Sequence, residues 1–337
     1  MIPAVSPGSA FSYAVARRHA GLIERSGDAR VVVSGADRRS YLHGLLTNDI
    51  ASLTAGHGCY AAYLTPQGRM IADLRVYELG DVILLVLGRD VKDTVVTKLD
   101  QFVFTEDVQL GDVTDTFGAV AIVGPEAAAV VAAAVGLPAD VVAALPEHGN
   151  LRATFNGQPA IVLRVTDLGE PGYDVLVEAS ALPLLRDAAH HSGAVDVDEA
   201  TAEALRIEGG VPRFHRDMDE ATIPLEAGIE SRAISLTKGC YVGQEVIIRV
   251  LHRGHGRVAR KLVGLSWIDG AVPESGAKVQ HDGRDVGEVT SATFSPALQR
   301  PIALAYLQRD FVEPGTEVTV GDRPATVAAL PFVAPGS

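Results

Sequence analysis

The order of apolar and polar positions along the chain predicts a mixed α and β protein whose last quarter is all β. Residues 31–33, Val-Val-Val, read as a strand. Asp37 then stands where a helix cap belongs, because Tyr41, Leu42, Leu45 and Leu46 recur on one helical face. Residues 59–64, 70–78 and 82–87 read as strands parted by glycine or proline turns, a spacing that suits an antiparallel sheet. Residues 90–101 predict a helix. Residues 119–123 predict a strand that runs through Gly124-Pro125-Glu126 into the alanine-rich stretch 127–135, which favours a helix. Strands at 161–165 and 173–177 and helices at 181–191 and 198–207 follow. Their alternation lacks a simple βαβ repeat, which favours α+β. From Arg260 onward short strands and turns predict a separate small β-barrel, with His281-Asp282-Gly283-Arg284 as a tight hairpin. The chain is divided accordingly into a region 1–259, with two subdomains meeting near 112–118, and a barrel domain 260–337.

Length supports more than one domain, since 337 residues exceed what one core fills. A composition of 47% hydrophobic and 21% charged residues is that of a globular protein, and the net charge of −13 argues against nucleic acid as a partner. One basic stretch interrupts this. Residues 246–268 hold no acid but carry Arg249, Arg253, Arg257, Arg260 and Lys261, a strip suited to a polyanion, to an acidic partner or simply to solvent. No segment is long and apolar enough to span a membrane, so no membrane association is expected. Arg17-Arg18 is followed by His19-Ala20-Gly21 rather than by the apolar run of a signal peptide, and two cysteines make no disulfide framework. A cytoplasmic location is the expectation. The strand–helix unit at 119–135 lacks the Gly-x-Gly-x-x-Gly loop of a dinucleotide site.

The stretch Lys238-Gly239-Cys240-Tyr241-Val242-Gly243-Gln244-Glu245 presents one of the two cysteines between glycines and beside a lysine. A neighbouring cation eases thiolate formation, and glycines leave room for a ligand or partner to approach. Cys240 therefore reads as a functional thiol presented on a loop with Lys238 as its cation, the alternative being a buried cysteine beside a strand starting at Val246. A single cysteine cannot hold a conventional iron–sulfur cluster, and His252 and His255 read as surface histidines, so no resident metal is expected.

This octapeptide resembles the signature of the YgfZ-type folate-binding proteins, relatives of the glycine-cleavage T protein (aminomethyltransferase) family. Further blocks resemble that wider family in the same order. They are residues 35–49, Leu64-Thr65-Pro66-Gln67-Gly68-Arg69-Met70 to Leu74-Arg75, Glu170-Pro171-Gly172-Tyr173-Asp174, Leu205-Arg206-Ile207-Glu208-Gly209-Gly210, and Thr293-Phe294-Ser295-Pro296 with residues 302–305. The resemblance implies an α+β, aminomethyltransferase-like folate-binding fold of intertwined α/β subdomains plus a C-terminal β-barrel. It implies a tetrahydrofolate or a derivative as ligand. Asp174 and Glu208 are the carboxylates for the pterin's donors, Arg206 orients Glu208 or holds an anionic part of the ligand, Tyr173 is a wall, and Asp73 lines the pocket.

At residues 72–73 the aminomethyltransferases carry two adjacent aspartates, one of which assists attack on the substrate; here the pair is Ala72-Asp73. That departure and the cysteine signature turn the expectation from catalysis toward a folate-binding accessory protein for assembly or repair of iron–sulfur enzymes. It would act through Cys240 on client or assembly proteins, with no turnover required and Asp73 not a general base. The alternative is a folate-dependent aminomethyltransferase or demethylase-type one-carbon enzyme. A third reading is a regulatory module that meets a partner through the basic strip 249–261.

Overall fold

A computed structural model describes residues 7–252 and 257–335; Arg253, His255 and the His252 side chain lie outside the described residues. Two sheets and a barrel carry the fold. The first sheet has five strands in the order Gly58–Leu64, Met70–Glu78, Ile83–Leu87, Ala29–Ser34, Gln109–Asp112, all antiparallel. The second has six, in the order Val195–Asp196, Gly21–Glu24, Phe117–Val123, Gly172–Glu178, Gln158–Val165, Asn150–Phe155, antiparallel except for its first pair. The strand Gly21–Glu24 lies in the second sheet although it precedes every strand of the first, so the chain passes from one sheet to the other and back.

Period-two alternation sorts the side chains of both sheets. One face of the first sheet buries Val31, Val76 and Leu85 against helices Arg38–Leu45 and Lys92–Asp100. One face of the second buries Val120, Val162 and Val175 against helices Ala127–Val135 and Leu182–His191. The opposite faces meet through Tyr77, Leu84 and Val86 on one side and Ala119, Leu163 and Leu176 on the other. The order of layers is helix, sheet, sheet, helix, and the space between the sheets is where a ligand can be enclosed.

Residues 260–328 form a closed six-stranded barrel filled by Leu265, Val279, Val289, Leu307 and Val327. Its tight hairpin places Asp282 (φ 49°) and Gly283 (φ 74°) in the left-handed region, as a two-residue turn of this hand requires. The barrel rests on helix Glu199–Glu208 through Ile207, packed against Ile302, Leu304 and Tyr306.

Two local expectations are corrected. Where the alternative reading of the Cys240 stretch put a strand from Val246, the chain forms a helix, Gln244–His252. Val246, Ile247, Val250 and Leu251 recur at helical spacing, and this periodicity outweighs the β preference of their branched side chains. Asp37 sits at the cap position but makes no side-chain cap bond; its carboxylate accepts the backbone N–H of Asp107 at 2.9 Å instead.

Candidate functional site

Between the sheets lies a cavity of about 910 Å³, within the size range of small-molecule sites. Its wall combines Tyr60, Asp73 and Arg75 of the first sheet with Arg25 and Asp28, which follow the first strand of the second. Strand Met70–Glu78 decides what faces this space. Ala72, Leu74 and Val76 belong to the helix-side core, whereas Asp73 and Arg75 line the cavity. Tyr60, diagonal to Asp73 on the neighbouring strand, donates its hydroxyl to Asp73 Oδ2 at 2.7 Å. Burial raises the pKa of Asp73 above the ordinary carboxylate value, and the Tyr60 hydrogen bond opposes that rise. The Arg232 guanidinium stands 5.4 Å over the Tyr60 ring, and His148 stacks on that ring at 6.4 Å. Burial pushes the His148 pKa down to about 3, so its imidazole is neutral.

The inner wall is an ionic network. Arg75 donates to Asp174 at 3.0 Å, to Asp28 at 3.0 Å and to Asp167 at 3.4 Å, while Arg25 donates to Asp167 at 2.9 Å. Asp174 is 2% exposed, and its Oδ1 has no hydrogen-bond partner. Such a group is costly to leave unpaired. Burial raises the Asp174 pKa, with Arg75 and Arg25 opposing it.

The residues expected from sequence part company here. Asp73 lines the cavity, and Asp174 stands behind its arginine wall. Tyr173, one residue away on the same strand, points to the opposite face, where it is buried in the helix-side core with the Arg164 guanidinium 4.9 Å from its ring. Glu208 is fully buried away from the cavity and accepts from Arg17, Ser295 and Tyr13, the last at 2.6 Å. Arg206 touches the cavity wall, but its guanidinium is committed to Glu203 at 2.6 Å, Asp217 at 2.7 Å and Ser291 of the barrel at 2.8 Å. These placements make Glu208 and Arg206 ties to the barrel, Arg206 at the cavity wall and Glu208 away from it. Sequence reading missed Tyr60, Arg25, Arg75, His148 and Arg232, of which Tyr60 and Arg75 carried a signal in their alternation with core residues.

Cys240 is exposed, as its glycine setting predicts. Lys238 is not its cation. The ammonium donates to the carbonyls of His43, Leu46 (2.6 Å) and Asn48 (3.0 Å) at the end of helix Arg38–Leu45, which uses all three of its N–H donors. We expect Cys240→Ser to shift the unfolding free energy by less than about 0.5 kcal/mol in urea denaturation, as for other exposed side chains.

Residues 5–238 match the GCVT N-terminal domain family, and residues 260–334 match the glycine cleavage T-protein C-terminal barrel domain family. The chain is 32% identical over 334 residues to the aminomethyltransferase of Rubrobacter xylanophilus, covering 98% of this chain and 88% of that one. It is 31% identical to that of Bacillus subtilis, covering 93% and 86%. The crystal structure of the glycine cleavage system aminomethyltransferase T from Bartonella henselae superposes with a TM-score of 0.87 at 25% identity, over 96% of this chain and 89% of that one. These relatives overturn the expectation of an iron–sulfur accessory factor acting through Cys240 on client or assembly proteins, since they share nearly the whole chain with enzymes named for aminomethyl transfer. Ala72, the position where the sequence departs from a paired aspartate, is buried in the helix-side core and is not among the residues lining this cavity. With both domain matches, the full-length relatives and the shared architecture, the chain belongs to the glycine-cleavage T-protein (aminomethyltransferase) family.

Proposed function

We propose that this protein is a folate-dependent one-carbon transferase of the aminomethyltransferase type, working in the cavity between the two sheets. The observation that carries the reading is Asp73, a desolvated carboxylate on the cavity wall, oriented by the Tyr60 hydroxyl at 2.7 Å. The residues present suit a folate: the carboxylates of Asp28 and Asp167 on the cavity wall are acceptors for ring N–H groups, and Tyr60 offers an aromatic face. Tetrahydrofolate would supply the nitrogen that receives the one-carbon unit, the donor's bond to that carbon breaking as the new bond forms and the donor group leaving with the electron pair. Asp73 takes the proton that this nitrogen loses, a role for which a carboxylate whose pKa burial raises above its ordinary value is suited. Arg25 and Arg75 hold Asp174, and Arg232 adds positive charge at the same wall.

The likeness of Lys238–Glu245 to the YgfZ-type proteins is retained as a subfamily feature, without an iron–sulfur role. Two unpaired cysteines suit a reducing, cytoplasmic setting. Among the described residues no helix is long and apolar enough to cross a membrane.

The test mixes the full-length protein with tetrahydrofolate and a series of aminomethyl and methylamine donors, following donor consumption and formation of the one-carbon folate, with tetrahydrofolate affinity measured by calorimetry. Binding with consumption of a donor is the expected result. Absence of tetrahydrofolate binding, or binding with no donor consumed, would count against it.

A further inference from the structure

Between helices Glu199–Glu208 and Pro224–Ala227 the chain runs through 15 residues, 209–223, without helix or strand, and residues 211–216 of this segment form one side of the cavity. Its base is anchored. Arg206 donates to the Val211 carbonyl at 2.6 Å, and Asp217 accepts the Arg213 N–H at 3.1 Å. The tip is held differently. His215 Nδ1 meets Asp90 Oδ2, and His215 Nε2 meets Glu220 Oε1 at 3.1 Å. Asp90 lies between strand Ile83–Leu87 and helix Lys92–Asp100 and itself lines the cavity, so this contact joins the segment to the first sheet's side of the site. His215 has φ 61°, a left-handed conformation that non-glycine residues rarely adopt and that persists where surrounding contacts enforce it.

The geometry suits the imidazolium. A carboxylate only accepts hydrogen bonds, so a ring with a carboxylate at each nitrogen must donate from both, which only the imidazolium does. The neighbouring cations are engaged elsewhere: Arg89 pairs with Asp115, and Arg213 and Arg216 face Glu203 at 4.0 and 3.8 Å. The Phe214 ring, 4.6 Å away, is the other group packed on the imidazole and carries no charge. Among the described residues, Asp90 and Glu220 are thus the charges that His215 meets.

We propose that His215 is a proton-dependent clasp, holding residues 211–216 against Asp90 across the cavity and slowing the exit of a bound ligand. Partial burial pulls the imidazolium's pKa down, and Asp90 and Glu220 more than reverse this, leaving it above its ordinary value. A raised histidine pKa means that the clasp is fully closed below the unfolded-chain value of about 6.5 and is released as pH climbs through the higher folded value. Loss of the proton leaves one carboxylate facing a ring lone pair. The ligand-retention part rests on the folate reading; the clasp itself does not.

The experiment uses the full-length wild type, His215→Gln and Asp90→Asn between pH 6 and 8.5. Hydrogen exchange of the amides of residues 211–218, corrected for the intrinsic rate, reads the clasp without ligand. Release of tetrahydrofolate, followed by stopped-flow fluorescence, reads retention. In wild type we expect protection to fall and release to quicken, each by roughly 3- to 10-fold with rising pH, the scale of two partly exposed ion pairs, while both variants stay flat at the open level. Exchange that ignores pH in wild type, or varies equally in His215→Gln, overturns the clasp. Exchange that titrates while release does not overturns the retention role. If no form binds tetrahydrofolate, the folate reading fails and exchange alone decides the clasp.

Discussion

Replacing Asp73 by asparagine is expected to lower kcat/KM for one-carbon transfer by about 10²- to 10⁴-fold, the usual contribution of a positioned proton acceptor. The affinity for tetrahydrofolate should change far less, because the amide oxygen can still accept the Tyr60 hydroxyl that now bonds Asp73 at 2.7 Å. The wild-type pH profile should carry the same signature. Burial raises the Asp73 pKa, and a base acts only when ionised, so kcat/KM climbs as pH rises through that value; Asp73→Asn lacks this limb. Tyr60→Phe removes a hydrogen bond that favours the ionised form and so moves the limb to higher pH. Steady-state kinetics of the three proteins across the acid range check all of this, and an Asp73→Asn enzyme with wild-type turnover would remove Asp73 from the chemistry.

Arg206→Met is expected to destabilise the fold by about 3–5 kcal/mol, seen as a lower urea midpoint, because it strips the cation from a carboxylate buried with it. Asp217 has 0% of its side chain exposed and pairs with Arg206 at 2.7 Å; the substitution leaves it with Thr290 and the Arg213 backbone N–H. The same guanidinium reaches Ser291, so the loss falls on the junction between helix Glu199–Glu208 and the barrel. A stability change within about 0.5 kcal/mol, the scale of an ordinary surface substitution, would mean that the junction is held by Ile207 and its apolar neighbours alone.

The barrel and four of the five strands of the first sheet were legible because short apolar runs are punctuated by turn residues, while strand Gln109–Asp112 was missed. The pocket was legible only in part, and the reason is local. Tyr173 and Asp174 were both assigned to the ligand, and Ala72 and Asp73 were weighed as one pair, yet in a strand adjacent side chains face opposite sides of the sheet. Alternation sends Tyr173 and Ala72 into the helix-side cores and leaves Asp174 and Asp73 toward the other sheet. Glu208 misled for another reason. Its helix segment resembles the family's ligand-lining block, but its partners Arg17 and Ser295 come from distant parts of the chain. Arg25, His148, Asp167 and Arg232 lie on four separate segments, and no spacing in the sequence announces that they converge. The exposure of Cys240 was readable from its glycines, while its relation to Lys238 depended on where helix Arg38–Leu45 ends.

The interleaving of the two sheets bears on how the protein is made. Strand Gly21–Glu24 leaves the ribosome early, but its antiparallel partner begins at Phe117, with Leu22 finally opposite Ile122. At translation speeds of about 5–20 residues per second, that edge waits roughly 5–20 s for its mate. All five strands of the first sheet lie between Ala29 and Asp112 and emerge during the wait, so that sheet is free to form first. The cavity face that carries Asp73 and Arg75 would then be present on a nascent chain well before Asp167 and Asp174, the later partners of Arg75, have been made.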